Sequence, residues 1–565
     1  MSRPYWVLST HTAHEDQTMN DNGALLKHAQ LVLGLREPTA YPHPADAIEV
    51  IETHISSVVL AGEFAYKLKK PVNLGFVDFS SLERRRHYCE EEIRLNRRGA
   101  PSLYLDVVPI TGDIDHPHAG PAPGPILEYA VRMRRFGENA RLDRLARAGR
   151  LSATHIDRLA TSVAAYHEQC EVAPAGRGFG SPQLILRWAS ENLADLEQAA
   201  LAPAQARRIK ELRNWTQDEF ARRAALFELR RNTGRVRECH GDLHLGNIVL
   251  LDDTPVPFDC IEFNDELRYI DVVNDVAFAF MDLIDHGLAT LAWRFLGAYL
   301  ECVGDYEGLG TLRFYAVYRA LVRAKIALIR HSQPDTPVAE KAADWAALDR
   351  YVKVAHALAK PVAPQLIATC GVTASGKTTV AQVLLEQLGA VRLRSDLERK
   401  RLYSIAATDH SSSLASVGGG LYDAAATQRT YDRLAVLASV VLDAGITAIV
   451  DASFLEQSHR QMFRELANAR AVRFTIIECD APPATLRSRL VQRLAQGSDA
   501  SDATARVLAH QLATRQALTA AERALAVRLD TDTEPARLLT RCIWLARRLK
   551  GDSRRKEKTG MTAAC

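Results

Sequence analysis

The chain has 565 residues, of which 47% are apolar and 25% are charged, the balance of an ordinary globular protein with several domains. Its 71 basic and 68 acidic side chains leave a formal net charge of +3, which excludes a bulk polyanion binder of the histone type. No run approaches the roughly 18 apolar residues that a membrane span needs, so the sequence predicts no membrane segment.

The cysteines and the first residues bear on the cellular compartment. The nine cysteines are scattered singly and form no C-x-x-C pair, so we expect neither a disulfide framework nor a zinc cluster. The N-terminal stretch has no apolar region of the kind that secretory signals carry. A cytoplasmic location is therefore the expectation.

The pattern along the chain predicts four segments. Long Ala/Leu/Arg-rich helical patterns dominate the first part, and after KPVAPQ (360–365) short β-rich runs alternate with helices. The first residues are polar without firm periodicity, and the last are basic. We predict a disordered arm at 1–40, a first domain at 41–359, a second domain at 360–550 and a disordered basic tail at 551–565.

In the first domain, HGDLHLGN at residues 240–247 is followed by Asp259, twelve residues after Asn247. Phosphoryl transfer from ATP needs a carboxylate that orients the acceptor hydroxyl and oxygen ligands that hold Mg²⁺. This spacing supplies Asp242 as the base and Asn247 as a metal ligand from one loop. A hairpin through Asp252 and Asp253 would then return Asp259 as the main metal ligand.

These residues resemble the aminoglycoside phosphotransferase and choline-kinase-like group of protein-kinase-like enzymes, over about residues 45–330. The resemblance implies a protein-kinase-like α+β domain. It also implies that FAYK, ending at Lys67, is the strand with the nucleotide lysine and that Glu92 is the partner of that lysine. Lys69 shares a strand face with Lys67, so either lysine could contact the ATP phosphates.

The same resemblance assigns two further segments and meets two departures. Asp275 is expected to brace the catalytic loop, and ILEYAVRM (126–133) has the apolar character of the hinge that receives adenine. No G-x-G-x-x-G precedes the lysine, where only Gly62 is found, so the phosphate-covering loop must differ. Leu245 stands where many relatives have proline, a conservative change.

The second domain begins with a phosphate-binding loop. GVTASGKT at residues 371–378 matches G-x-x-x-x-G-K-[ST], follows the apolar strand QLIATC and opens a helix. Backbone N–H groups of the turn and the helix N-terminus cradle the β-phosphate, the lysine neutralises the β/γ oxygens, and a threonine hydroxyl can ligate Mg²⁺. The predicted nucleotide-binding residues are Gly371, Ser375, Gly376, Lys377, Thr378 and Thr379, with Thr378 also a metal ligand.

The strand–helix alternation after residue 360 predicts βαβ units around a parallel sheet. Asp396 follows the next strand, at the sheet edge where open α/β folds bind ligands, and could accept a proton from an acceptor hydroxyl. Asp451 ends a buried strand in the manner of a Walker-B carboxylate and is the second predicted metal ligand. Arg489 and Arg493 lie four residues apart on a later helix and suit a lid over a triphosphate.

Residues 364–530 resemble AAA-type P-loop kinases of the gluconate-kinase-like and zeta-toxin-like kind. By that resemblance Asp396 is the acceptor-side base, and Arg489 and Arg493 belong to the lid. Together the two halves resemble bacterial proteins described as bifunctional aminoglycoside-phosphotransferase-like and ATP-binding kinases. The resemblance covers nearly the whole chain and implies ATP and Mg²⁺ as cofactors.

The leading hypothesis is therefore a phosphotransferase with two kinase modules that act on small hydroxylated substrates. A second hypothesis makes one half a nucleotide-sensing module with no acceptor; the missing glycine-rich loop favours it, and the intact Asp242, Asn247 and Asp259 oppose it. A third assigns nucleic-acid end phosphorylation to the second domain. Against it, no basic stripe interleaved with aromatic residues is present, so we expect no nucleic-acid partner. Neither acceptor nor the oligomeric state follows from the sequence.

Overall fold

The structure is a computed structural model that describes residues 11–73, 77–333, 336–405, 423–496 and 505–559, without the side chains of 11–22, 493–496 and 552–559. The chain packs as two compact units, each assembled from three segments. The first unit comprises Met1–Leu151, Ala165–Gly180 and Gly234–Asp275, and the second comprises Ser152–Ala164, Ser181–Thr233 and Val276–Cys565. This division differs from a single boundary near residue 360, because the helices after Val276 pack with the segment that carries the phosphate-binding loop.

An antiparallel sheet of six strands organises the first unit, in the order β1-β2-β3-β6-β4-β5. The strands are β1 (Ile48–Glu52), β2 (Ser56–Ala61), β3 (Phe64–Lys69), β4 (Tyr104–Gly112), β5 (Pro117–Ala119) and β6 (Ile126–Arg134). Strand β3 lies between β2 and β6, and its Lys67 is opposite Val58 on one side and Val131 on the other. The predicted lysine strand and the predicted adenine hinge are therefore paired neighbours.

Helix α1 (His11–Gly34) lies in the segment expected to be a disordered arm. Leu31 lies in its last turn, and Leu35 directly follows the helix with its backbone N–H donating to the Leu31 carbonyl at 3.0 Å. Both are buried in the apolar core that also contains Tyr66 and Ile110 of the sheet. The end of this segment is thus part of the folded unit, a difference that follows from tertiary burial rather than from helical periodicity, which is weak here.

One helix and two short strand pairs belong to the part of the first unit that contains HGDLHLGN (240–247). Helix α2 (Leu82–Asn96) is capped by Ser81, whose side chain accepts a hydrogen bond from the Arg84 backbone N–H. Strand β7 (Val236–Glu238) pairs with β10 (Tyr269–Asp271), and β8 (Ile248–Leu251) forms a hairpin with β9 (Thr254–Pro257). Asp252 and Asp253 form the hairpin turn with φ of 45° and 62°, the left-handed conformation that a two-residue type I′ turn requires. The predicted hairpin is therefore present.

Helices make up the rest of the chain before residue 360. They are α3 (Leu142–Arg147), α4 (Ala153–Gln169), α5 (Pro182–Gln198), α6 (Pro203–Asn232), α7 (Asp265–Arg268), α8 (Val272–Asp285), α9 (Ala289–Val303), α10 (Leu309–His331) and α11 (Val338–Ala359). In the second unit, Phe227 of α6 packs edge-on against Phe314 of α10, with ring centroids 5.2 Å apart. Among the described helices, none combines the length and the apolar character needed to cross a bilayer.

A parallel sheet of five strands forms the centre of the phosphate-loop segment, in the order β12-β13-β11-β14-β15. The strands are β11 (Gln365–Cys370), β12 (Ala390–Arg394), β13 (Thr447–Asp451), β14 (Arg473–Asp480) and β15 (Ala526–Asp530). The helices are α12 (Lys377–Leu388), α13 (Ser395–Leu402), α14 (Ala424–Asp443), α15 (Gln457–Ala469), α16 (Pro483–Gln496), α17 (Ala505–Thr514), α18 (Ala520–Arg523) and α19 (Pro535–Thr559). The predicted parallel sheet is confirmed.

The predicted tail at 551–565 is described by the structure only as far as Thr559. Helix α19 continues through Thr559 and so includes most of the segment expected to be a disordered tail. Residues 560–565 lie outside the described part of the chain. Within α19, Cys542 and Leu545 are buried against the P-loop helix side of the sheet, which anchors the helix well before the tail begins.

Candidate active sites

In the first unit, Lys67 joins two of the predicted site residues. Its Nζ lies 2.8 Å from Glu92 Oε1 and 2.5 Å from Asp259 Oδ1. Glu92 is fully buried, whereas the Asp259 side chain is 41% exposed and so accessible to a ligand. The contacts place a strand, a helix and the segment after β9 around one ammonium group, as the lysine–glutamate pair of a kinase requires.

Lys69 occupies the inner side of the same cluster. Its Nζ lies 2.8 Å from Glu92 Oε2 and is hydrogen-bonded to Glu262. The side chain is 1% exposed against 13% for Lys67, and it packs over the Phe79 ring at 5.0 Å. Lys67 is therefore the lysine nearer to solvent and to Asp259, which distinguishes two residues that strand periodicity cannot separate.

Electrostatics keep Glu92 and Lys67 charged against the effect of burial. Burial by itself would raise the pKa of Glu92, but Lys67 and Lys69 hold that pKa at about 2. Burial likewise opposes the charge of Lys67, yet Asp259 and then Glu92 raise its pKa well above the ordinary value. Charged groups of opposite sign compensate one another here, as buried ions must.

Asp242 and Asn247 face each other across the catalytic loop. Asn247 Nδ2 donates to Asp242 Oδ2 at 2.9 Å and to the Asp242 carbonyl at 3.1 Å. The Asp242 side chain is 34% exposed, and His244 Nε2 lies 3.4 Å from its Oδ2. One carboxylate oxygen is thus oriented by neighbours while the group stays open to an acceptor hydroxyl.

Asp275 braces this loop from behind, as the sequence predicts. It is fully buried and accepts hydrogen bonds from the backbone N–H groups of His240, at 2.8 Å, and Gly241, at 2.9 Å. Gly241 has φ of 83°, and a Cβ there would lie 2.8 Å from the Leu267 carbonyl. A side chain at this turn would therefore both strain the backbone and collide with it. Burial lowers the pKa of His240, so this side chain is held neutral.

Asp259 adopts φ of 63°, an unusual conformation for a residue with a side chain. Its backbone N–H donates to the hydroxyl of Tyr104 at 2.9 Å, and the Tyr104 side chain is fully buried. Strain of this kind persists only where the surroundings over-determine it, and it clusters at functional sites. Tyr104 is thus a supporting residue that no sequence motif signals.

In the second unit, the phosphate-binding loop follows β11 and leads into α12. Gly371 and Gly376 have φ of 146° and 82°. A Cβ at Gly371 would lie 2.4 Å from the Cys479 carbonyl, so only glycine fits this close approach. A glycine-rich turn between a strand and the start of a helix is the arrangement that binds phosphate.

The residues of this loop fit a phosphate group. The Ser375 hydroxyl is buried and has no hydrogen-bond partner among the described residues, a costly state that a phosphate oxygen would relieve. Lys377 Nζ donates to the Val372 carbonyl at 2.8 Å. Burial lowers the pKa of Lys377, an effect that the nearby carboxylates of Asp451 and Asp396 oppose. An anion at this place would oppose the effect of burial and raise the lysine pKa again.

The remaining predicted residues of this half surround the loop. Asp451 is buried at the end of β13, where Thr369 Oγ1 donates to its Oδ1 at 3.3 Å. Asp396 lies in the first turn of α13, and Thr378 and Thr379 lie in the first turn of α12, with Thr379 exposed. Asp451 ends β13 and Asp396 follows β12, so both carboxylates lie at the same edge of the sheet as the loop that follows β11.

The two predicted lid arginines, Arg489 and Arg493, both lie on helix α16. Arg489 of α16 donates from Nη1 to the Ala374 carbonyl at 3.4 Å and from Nη2 to the Thr531 carbonyl at 2.6 Å. It therefore contacts the phosphate-binding loop itself. Arg493 lies in the last turn of the same helix, and its side chain is outside the described residues.

Two sequence-family comparisons agree with these two sites. The model of the phosphotransferase enzyme family (APH) matches residues 89–315, and that of an AAA domain (AAA_33) matches residues 366–518. The predicted fold class is confirmed: a kinase-like α+β domain precedes a P-loop domain with a parallel sheet. The chain is a phosphotransferase enzyme, as the motifs predict.

Individual proteins also match over long stretches. Uncharacterized proteins of Mycobacterium tuberculosis and Mycobacterium bovis are each 32% identical over 470 residues, covering 83% of this chain and 90% of the relative. Among solved structures, a sugar kinase from Janibacter sp. is 21% identical and covers 32% of this chain and 92% of its own, with a TM-score of 0.26. A choline/ethanolamine kinase family protein from Mesorhizobium loti is 13% identical and covers 59% and 99%, with a TM-score of 0.33.

Proposed function

The chain belongs to the family of these mycobacterial relatives, and from that premise we propose that it is an ATP- and Mg²⁺-dependent phosphotransferase with two separate catalytic sites for small hydroxylated acceptors. The observation that carries the proposal is that each compact unit has its own candidate nucleotide lysine and its own candidate acceptor carboxylate that is not fully buried. These are Lys67 with Asp242 in the first unit and Lys377 with Asp396 in the second.

In the first site, Lys67 would contact the ATP phosphates while Glu92 holds it in place. Asn247 and Asp259 offer the amide and carboxylate oxygens that Mg²⁺ prefers. When bound, the metal neutralises charge that develops on the transferred phosphoryl group. Asp242 then orients the acceptor hydroxyl and takes its proton, a role supported by its exposure and by the hydrogen bond that Asn247 donates to it.

In the second site, the backbone from Gly371 to Thr379, the Ser375 hydroxyl and Lys377 would bind the β/γ-phosphates. Thr378 and Asp451 are the candidate metal ligands, and Asp396 is the acceptor-side base. Arg489 supports the loop through the Ala374 carbonyl. Arg493 is proposed as the lid arginine, on the sequence alone. The unpartnered Ser375 hydroxyl supports the assignment most directly.

The test is a screen of hydroxylated metabolites with radiolabelled ATP, using the full chain. Asp242→Asn should abolish one set of products and Lys377→Met the other, because each variant disables one site. The double variant supplies the background. Transfer by the double variant at the wild-type rate would contradict the assignment of both sites, and transfer lost in both single variants would contradict their independence.

A further inference from the structure

Helix α9, which lies within the region matched by the phosphotransferase family, packs directly on the P-loop helix α12 inside the second unit. Trp293 of α9 packs against the apolar core beneath α12. Gly389, at the end of α12, leaves room for the Trp293 indole, since a Cβ there would lie 2.8 Å from Nε1. Gly297 does the same for Leu385, at 2.9 Å from Cδ1. Each glycine therefore allows a large side chain of the other helix to approach its backbone closely.

Two ion pairs flank this apolar contact. Arg294 Nη1 lies 2.7 Å from Glu386 Oε1, linking α9 to the far part of α12. Arg392 of β12 donates from Nε at 2.9 Å and from Nη2 at 2.7 Å to Glu301 Oε1. The Arg392 side chain is 7% exposed, so its charge depends on Glu301 for compensation.

Of these two pairs, the described contacts connect only Glu301–Arg392 to the first turn of the P-loop helix. Arg392 Nη1 donates to the backbone carbonyl of Thr378 at 3.2 Å, in the first turn of α12. Arg394, two residues along β12, lies 3.5 Å from the other oxygen of Glu301, and Asp396 follows in α13. Glu301 therefore sits behind both the P-loop helix start and the strand that leads to the proposed base.

We propose that Glu301 and Arg392 are positioning residues for the second catalytic site: Glu301 fixes the Arg392 guanidinium, which fixes the Thr378 backbone and with it the threonine hydroxyl. The inference rests on the proposed function of that site. Small displacements of groups that position a substrate cost far more than their own contact energy. A helix from the phosphotransferase region thus completes the P-loop site.

The matched control is the other ion pair. Glu301→Gln and Glu386→Gln each remove the carboxylate of one ion pair between α9 and the P-loop segment. Of these two pairs, the described contacts link only that of Glu301 to Thr378. A general loosening of α9 against α12 would affect both variants alike, whereas positioning of the phosphate-binding helix predicts an effect of Glu301→Gln alone.

The experiment is hydrogen exchange of peptides that contain residues 371–382, measured on the full chain with and without Mg²⁺ and ADP. Because the readout is local, nucleotide binding elsewhere does not interfere. For Glu301→Gln we expect faster exchange without nucleotide and a roughly 10- to 100-fold higher ADP concentration for half protection, the range found when residues behind a metal ligand are lost. Glu386→Gln should stay within about twofold of the wild type.

Arg392→Lys serves if Glu301→Gln folds poorly. It keeps the charge opposite Glu301 but cannot bond the carboxylate through two nitrogens and also reach Thr378. It should reproduce the change in exchange and in half protection. Equal effects of Glu301→Gln and Glu386→Gln, or no effect of Arg392→Lys, would overturn the proposal. Absence of nucleotide protection in the wild type would instead contradict the proposed function, while exchange without nucleotide still decides the role of Glu301.

Discussion

Asp242 and Asp259 belong to one proposed site, but their neighbouring side chains suit them to different roles. Asp242 accepts a hydrogen bond from the Asn247 amide, and its side chain is 34% exposed, which suits a group that must accept a proton from an acceptor. Asp259 contacts the Lys67 ammonium, which suits a group that must stay ionised beside metal and phosphate. Their neighbours therefore predict separable effects of mutation.

We expect Asp242→Asn to lower kcat of the first site by about 10²- to 10⁴-fold while nucleotide affinity stays near the wild-type value, because the amide cannot take the proton. Asp259→Asn should instead raise the Mg²⁺ and ATP concentrations needed for half-maximal rate. Calorimetric titration with nucleotide, beside a radiolabel transfer assay, separates the two results. Unchanged turnover in both variants would contradict the kinase assignment of this unit.

The two lysines on β3 give a second contrast. Lys67→Met should lower kcat/KM for ATP by about 10²- to 10³-fold with little loss of stability, because it removes a charge that faces phosphate. Lys69→Met leaves Glu262 buried without its cation and leaves Glu92 with Lys67 alone, so we expect a loss of about 3–5 kcal/mol in unfolding free energy. Kinetics in ATP and thermal unfolding of both variants test this. A reversed pattern would make Lys69 the nucleotide lysine.

At the scale of single elements, the docking of α1 depends on protonation. His28 Nε2 lies 2.9 Å from the Ser57 hydroxyl, within the first unit. Burial lowers the pKa of His28 to about 4, with Glu52 opposing the shift and Lys70 and Arg85 adding to it. The helix therefore carries a histidine that is neutral when folded.

Stability should consequently fall on acidification. The unfolded chain binds a proton at His28 below pH 6.5, whereas the folded chain does so only near pH 4, so acid favours unfolding between these values. Between pH 7 and pH 5 this amounts to about 2 kcal/mol. We expect the first thermal transition of His28→Gln to move less over this pH range than that of the wild type. Equal sensitivity in both proteins would show that His28 is protonated in the folded state.

In the whole molecule, neither compact unit is a single continuous stretch of the chain. The P-loop segment shares its unit with helices from before residue 360. Trp293 and Gly297 are therefore part of the environment of α12, although they precede it by about ninety residues. A fragment that begins at residue 360 would lack this packing.

We accordingly expect a fragment of residues 360–565 to be less stable than one of residues 276–565. Exposing the α12 surface that α9 covers uncovers at least one large apolar side chain, worth about 2–3 kcal/mol, or roughly 5–10 °C in midpoint temperature. Thermal unfolding of the two purified fragments measures the difference. Equal midpoints would show that the P-loop segment is stable by itself.

Short-range sequence patterns are enough to predict the fold class and the phosphotransferase chemistry. HGDLHLGN, Asp259 and the phosphate-binding loop are recognisable because their chemistry depends on residues a few positions apart, whose spacing the backbone preserves. The parallel sheet followed from strands that alternate with helices, and the hairpin at Asp252 and Asp253 from its turn residues. The family comparisons confirm the fold class and the phosphotransferase activity that these patterns predict.

Tertiary contacts alone distinguish Lys67 from Lys69 and bring α9 against the P-loop helix. Lys67 and Lys69 are equivalent by strand periodicity, and they differ only because Glu262, 193 residues away, closes on Lys69. Glu301 and Arg392 are separated by 91 residues, and Leu31 enters the core by packing with sheet strands that follow it in the chain. Contacts between residues so far apart leave no periodicity or spacing in the sequence, because the free energy that selects them arises only when the surfaces meet.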